Sequence, residues 1–157
     1  MSAAPKSANW ENCRAEFEPD GGLVDLIAPG TTAAHWEEFW AGLRSGPFDL
    51  RVCRDNAPIP VPETAEWCLR EQNTACVYAS VLAGNVTANC HFFGGDLELD
   101  IDPREVLNEA ELNSVLSLMR LVAAAVRLPV LATPEGGGAE RAFLRVLPEG
   151  RAEFLSP

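Results

Sequence analysis

The sequence predicts an α+β fold, an antiparallel sheet of about seven to nine strands with two main helices, at about 31–45 and 108–127, packed on it. Three observations carry this. Most apolar stretches alternate with period two and end in Gly, Pro or Asn turn chemistry, as hairpin strands do. Two longer stretches instead repeat their apolar residues every three or four positions between helix start and stop signals. Finally, 157 residues at 47% hydrophobic and 22% charged are enough to bury one core. Residues 1–9, small and polar, read as a disordered lead-in, and residues 10–157 as a single domain.

The elements follow in order. Cys13, Ala15 and Phe17 alternate with Arg14, Glu16 and Glu18, which reads as a strand. Pro19-Asp20-Gly21-Gly22 turns it into a second strand, Leu23 to Ala28, giving a hairpin. Thr31 or Thr32 caps the first helix, and Trp36, Phe39, Trp40 and Leu43 share its core face. Phe48 to Cys53 is a strand. Pro58, Pro60 and Pro62 then hold the chain extended without a normal ladder position. Glu63 to Gln72 reads as a short helix presenting Trp67.

Cys76 to Leu82, Val86 to Phe93 and Asp96 to Asp102, joined by Gly84-Asn85 and Gly94-Gly95, form an antiparallel meander. Asn108 and Glu111 resemble a capping box for the second helix, whose apolar face runs from Leu112 to Val126 and is widened by Leu118 and Leu121. Such a helix is buried between layers, or offers its second face to a partner. Pro129 to Thr133 is a strand, Gly136-Gly137-Gly138 a loop, and Ala142 to Leu147 with Ala152 to Leu155 a last hairpin. Gly-Gly, strand, Pro, helix and a Leu-Arg-Val strand occur twice, from Gly21 to Val52 and from Gly94 to Val146, the pattern an internal duplication leaves.

Charge sets the class of partner. A net charge of -11 argues against nucleic acid, whose phosphates require a basic surface, and against anionic membranes, and it steers basic proteins inward. Lys6 is the only lysine among twelve basic residues, the usage of a GC-rich bacterial coding sequence. The N-terminus lacks a signal-peptide pattern and no uncharged apolar run reaches 18 residues, so the expected location is cytoplasmic.

Chemistry-bearing patterns are few. The five cysteines (Cys13, Cys53, Cys68, Cys76, Cys90) lack the short paired spacing of a zinc knuckle and read as reduced core thiols. The glycine run lacks the Lys-Ser/Thr and helix of a phosphate loop. Neither metal nor cofactor is expected. Cys76 and His91 could meet across a hairpin, the only thiol–imidazole pairing the strands suggest. Most distinctive is the stripe Asp96, Glu98, Asp100 and Asp102, interleaved with Leu97, Leu99 and Ile101. At about 6.8 Å per residue pair it spans roughly 20 Å, too far for one metal ion. Like charges in a row cost stability unless water or a basic partner offsets them.

These observations favour a non-enzymatic protein-binding domain, an immunity or inhibitor protein that neutralises a basic toxin or nuclease. Asp96, Glu98, Asp100 and Asp102 would supply the charge, and Trp67 an aromatic anchor. A dimeric acidic secretion chaperone, using the second helix as its interface, and a small hydrolase using Cys76 and His91 are the alternatives.

Overall fold

The computed structural model describes residues 4–155. Ten strands form one sheet: β1 (Lys6–Ser7), β2 (Val24–Ala28), β3 (Asp49–Arg54), β4 (Ala57–Ile59), β5 (Val77–Ala83), β6 (Val86–His91), β7 (Leu97–Ile101), β8 (Val130–Pro134), β9 (Leu144–Val146) and β10 (Ala152–Phe154). Four α-helices accompany them: α1 (Trp10–Cys13), α2 (Ala33–Ser45), α3 (Ala65–Glu71) and α4 (Glu109–Val126). The strand order is β1-β10-β9-β8-β2-β7-β6-β5-β3-β4, and every neighbouring pair is antiparallel. The α+β class, both main helices and the β5–β6–β7 meander stand as the sequence predicts.

Handedness explains the layering. Counting through the antiparallel pairs, β2 and β3 run the same way, and so do β7 and β8. α2 therefore crosses over from β2 toward the β4 edge, and α4 from β7 toward the β1 edge. Neighbouring strands of opposite direction, crossing toward opposite edges with the usual right hand, put both helices over the same face. α2 and α4 indeed pack on each other. Gly42 lets them approach, since a Cβ there would lie 3.1 Å from that of Ala125. Among the described residues, neither long helix covers the other face of the sheet.

Alternation then sorts the side chains. Val24, Leu26 and Ala28, Val77, Ala79 and Val81, Val86, Ala88 and Cys90, and Leu97, Leu99 and Ile101 all point to the helices and are buried. Above them lie Trp36, Phe39, Trp40 and Leu43 of α2 and Leu112, Val115, Leu116, Met119 and Val122 of α4. Leu118 is buried too, and Leu121 packs against this core beside Gly46 at the end of α2, so α4 is covered on both sides. Asn108 caps α4 at Glu111 N, while the Glu111 carboxylate reaches back to Leu107 N.

Four expectations change. Cys13 to Phe17 is not a strand: Asn9 caps α1 through Asn12 N, and Arg14–Phe17 continues as a 3-10 turn. Trp10, Cys13 and Phe17 fit helical spacing, burying Cys13 and Phe17 while Ala15 stays exposed, so β2 has no hairpin partner before it and pairs with β7 and β8. Residues 4–9 are not a disordered lead-in, because Lys6–Ser7 pairs with β10; residues 1–3 lie outside the described residues. Pro58 does occupy a ladder position, in the edge strand β4. Together β1 and β4 raise the strand number to ten. The repeated pattern reaches only β2–α2 and β7–α4. Three strands separate β2 from β3, which runs the same way, whereas two separate β7 from β9, the second Leu-Arg-Val strand, which runs opposite to β7.

Candidate functional site

The face opposite the long helices holds the side chains that alternate away from the core. One row crosses six strands: Arg51 (β3), Ser80 (β5), Asn89 (β6), Asp100 (β7), Asp25 (β2) and Thr133 (β8) are successive cross-strand partners. Ser80 donates to Asn89 at 2.7 Å, and Asn89 hydrogen-bonds Asp100. Beside this row stands Glu98, two residues from Asp100 and diagonal to Asp25 across the β2–β7 pair. Three carboxylates are thereby gathered at the centre of the face.

Their electrostatics follow from that crowding. Burial, followed by the neighbouring Asp25 carboxylate and the charge of Asp100, raises the Glu98 pKa. Asp100 is also raised, chiefly by burial and further by Asp25 and Glu135; His91 and the Asn89 hydrogen bond pull against this. Asp25 itself is only 7% exposed, roofed by the glycine loop whose Gly136 N donates to it at 2.9 Å. Among the described residues, no ion pair includes Asp25, Glu98 or Asp100. The arginines on this face are committed elsewhere: Arg51 to Asp49 at 3.2 Å, and Arg145 to Glu153. Those last contacts, the Arg145 hydrogen bond foremost, lower the Glu153 pKa.

The acidic stripe is thus divided in three. Asp96 lies just before β7 and accepts from Gly30 N at 2.9 Å and Thr31 N at 3.3 Å, fixing the loop that leads into α2. Asp102 lies just after β7; Arg104 grips its carboxylate at 2.7 Å, and that hydrogen bond lowers its pKa. Glu98 and Asp100 remain on the open face. Since β7 is an inner strand between β2 and β6, its carboxylates do not guard a sheet edge.

Next to the carboxylates runs an aromatic ladder. Tyr78 of β5 faces His91 of β6 with ring centroids 5.9 Å apart, and His91 stacks on Phe93 at 5.4 Å and 7°. Phe93 is 77% exposed, the most exposed large apolar side chain among the described residues. The alternation of β6 put His91 and Phe93 on one face in the sequence; their nearness to Asp100 depends on strand order. Asp25 carried a signal as well, a charge on the polar phase of a strand.

Trp67 is elsewhere. It sits on α3, which packs on α2, and Glu71 of α3 pairs with Arg54 on the helix side of β3 at 2.7 Å. β7 and β4 are also four strand spacings apart, roughly 19 Å. Trp67 and the Glu98–Asp100 pair therefore lie on different sides of the sheet.

The thiols divide likewise. Cys13, Cys68 and Cys90 are buried, Cys53 is half-buried and Cys76 is exposed, so the core-thiol expectation fails for Cys76, which precedes β5 at a turn. Burial pushes Cys13 and Cys68 up to about 12, and Cys90 upward too. The His91 ring stacks on Phe93 and lies tilted at 39° against Tyr78. Among the described residues no group of three His, Cys, Asp or Glu is placed to hold a metal ion, and no helix is long and apolar enough to cross a membrane.

No family model, curated protein or solved structure matches the chain.

Proposed function

We propose that this chain is a cytoplasmic, non-enzymatic binding domain whose open sheet face docks on a basic protein, in the manner of an immunity protein that occludes a toxin or nuclease. One observation carries the reading: Asp25, Glu98 and Asp100 crowd together and form no ion pair among the described residues, near the exposed Phe93 that stacks on His91. Crowded carboxylates are relieved by an incoming cation, which gains Coulomb energy where the protein has already lost it. An exposed aromatic adjoining them supplies the apolar centre that charge alone lacks. The net charge of -11 lengthens the reach of the attraction and speeds encounter at low salt.

The chaperone reading would use the second apolar side of α4, and that side is packed against α2. The hydrolase reading would need Cys76 and His91 to act together, with His91 withdrawn from its aromatic stack. The open face gives the docking reading the stronger support.

The test begins with capture of partners from source lysate at low and high salt, identified by mass spectrometry and then purified. Against such a partner, Glu98→Gln with Asp100→Asn lowers the association rate about tenfold at low salt, and Phe93→Ala speeds dissociation. Unchanged rates in both variants would remove the open face from the interaction.

A further inference from the structure

A second surface lies at the β4 edge. The turn Asp55-Asn56 has positive φ at both residues, 51° and 64°, so β3 and β4 form a two-residue hairpin in which Arg54 and Ala57 are the closing pair. In such a hairpin the pairs alternate between hydrogen-bonded and open. Arg54–Ala57 and Val52–Ile59 exchange hydrogen bonds, whereas at Cys53–Pro58 the backbone groups of Pro58 turn outward; Pro60 follows just past the end of the strand. Proline has no N–H. The free edge therefore presents the Pro58 carbonyl with no N–H at 58 or 60, and a partner strand, which needs donors as well as acceptors, finds no ladder there.

Behind this edge runs an apolar groove of about 620 Å³ lined by Ile59, Pro60, Val61, Pro62, Thr64 and Trp67. Its walls are held: the Trp40 indole donates to the Pro62 carbonyl at 2.8 Å, Arg44 to that of Glu63 at 3.0 Å, and the Thr64 hydroxyl accepts from Trp67 N. Trp67 is 40% exposed, while Trp36 and Trp40 are buried. Arg54, also in the groove, is neutralised by Glu71 and by Asp55. Glu63 adds an exposed carboxylate.

We propose that this edge binds an extended, arginine-bearing segment of a basic protein, with the guanidinium laid on Trp67 and donating to carbonyls of the proline edge. The hydrogen-bond complement selects the side chain. Arginine brings five donors and no acceptor on a flat group that stacks on an indole, which matches a donor-free edge beside Trp67. Lysine offers the charge without the stacking plane. This site is separate from the open face and does not depend on it.

The full chain is titrated with a blocked five-residue peptide, Gly-Gly-Arg-Gly-Gly, and with its citrulline and lysine counterparts, following the indole N–H resonances by NMR. The arginine peptide shifts the Trp67 signal, leaves Trp36 and Trp40 in place, and binds roughly threefold or more tightly than either counterpart. Trp67→Ala, at a partly exposed position, abolishes this, while Glu98→Gln with Asp100→Asn leaves it intact, so the two surfaces fail or succeed separately. Equal binding of the citrulline or lysine peptide, or a Trp67 signal that stays still, overturns the assignment.

Discussion

At the scale of single residues, the open face carries a measurable electrostatic cost. Asp25 and Asp100 are direct cross-strand partners, and Glu98 stands against both. A carboxyl whose folded pKa is raised binds more protons folded than unfolded, so its contribution to stability falls as pH rises through the folded value and is regained on acidification. Asp102 and Glu153, held by arginines and lowered, behave oppositely: their contribution is present at neutral pH and lost below about pH 4 as they protonate. Stability therefore rises as the pH falls through the raised values of Glu98 and Asp100, and declines at stronger acid once Asp102 and Glu153 protonate. Glu98→Gln with Asp100→Asn stabilises the protein at pH 7 by about 0.5–1 kcal/mol and flattens that rise, as urea melts across pH will show. A second residue-scale expectation concerns the thiols. Iodoacetamide at pH 8 modifies Cys76 in the folded protein, whereas Cys13, Cys68 and Cys90 react only on unfolding, as peptide mapping will report.

At the scale of elements, two positions set how well local sequence agrees with local structure. α4 ends at Arg127 in the left-handed region, φ 57°, where glycine is the usual residue. Arg127→Gly relieves that conformation and raises stability by roughly 0.5–1 kcal/mol, measured by thermal melting. Gly84, in the β5–β6 turn at φ 58°, does the reverse: a Cβ there would meet Ser114 Oγ of α4 at 2.4 Å. Gly84→Ala costs about 1–3 kcal/mol, because backbone strain and overpacking act together. Where such signals were strong and local, the sequence was legible: Gly84-Asn85, Gly94-Gly95 and the Thr32 and Asn108 caps placed the meander and both long helices. Where two periods competed, it was not. Cys13, Ala15 and Phe17 satisfy period two, yet Trp10, Cys13 and Phe17 satisfy the helical period, and only Asn9 preceding them tips the balance. The candidate site was half legible for a different reason. Glu98 and Asp100 declared themselves by alternation, but Asp25 joins them through a strand order that no local pattern encodes, and Trp67 looked like their companion only because both are conspicuous in the chain.

At the scale of the whole molecule, the arrangement separates tasks by side. The helix side contains the core, and its loss is expensive: Leu99→Ala, fully buried under the helices, costs about 2–5 kcal/mol by chemical denaturation. The open side is free to carry charge because handedness places both crossovers opposite it. Substitutions there change association and pH response with little loss of fold. A one-sided sheet of this kind is a stable base for a variable surface.

The place of β2 has a consequence for how the molecule is made. Its partners are β7 and β8, some seventy and more than a hundred residues further along the chain. During synthesis Val24 to Ala28 leave the ribosome long before either partner exists, and the strand waits as an unpaired apolar segment. β7 closes one side of it; the other stays open until residue 134 has emerged. A ribosome stalled between these points would hold a chain with its helices in hand and its central strand still exposed, the stage at which nascent-chain chaperones have most to protect.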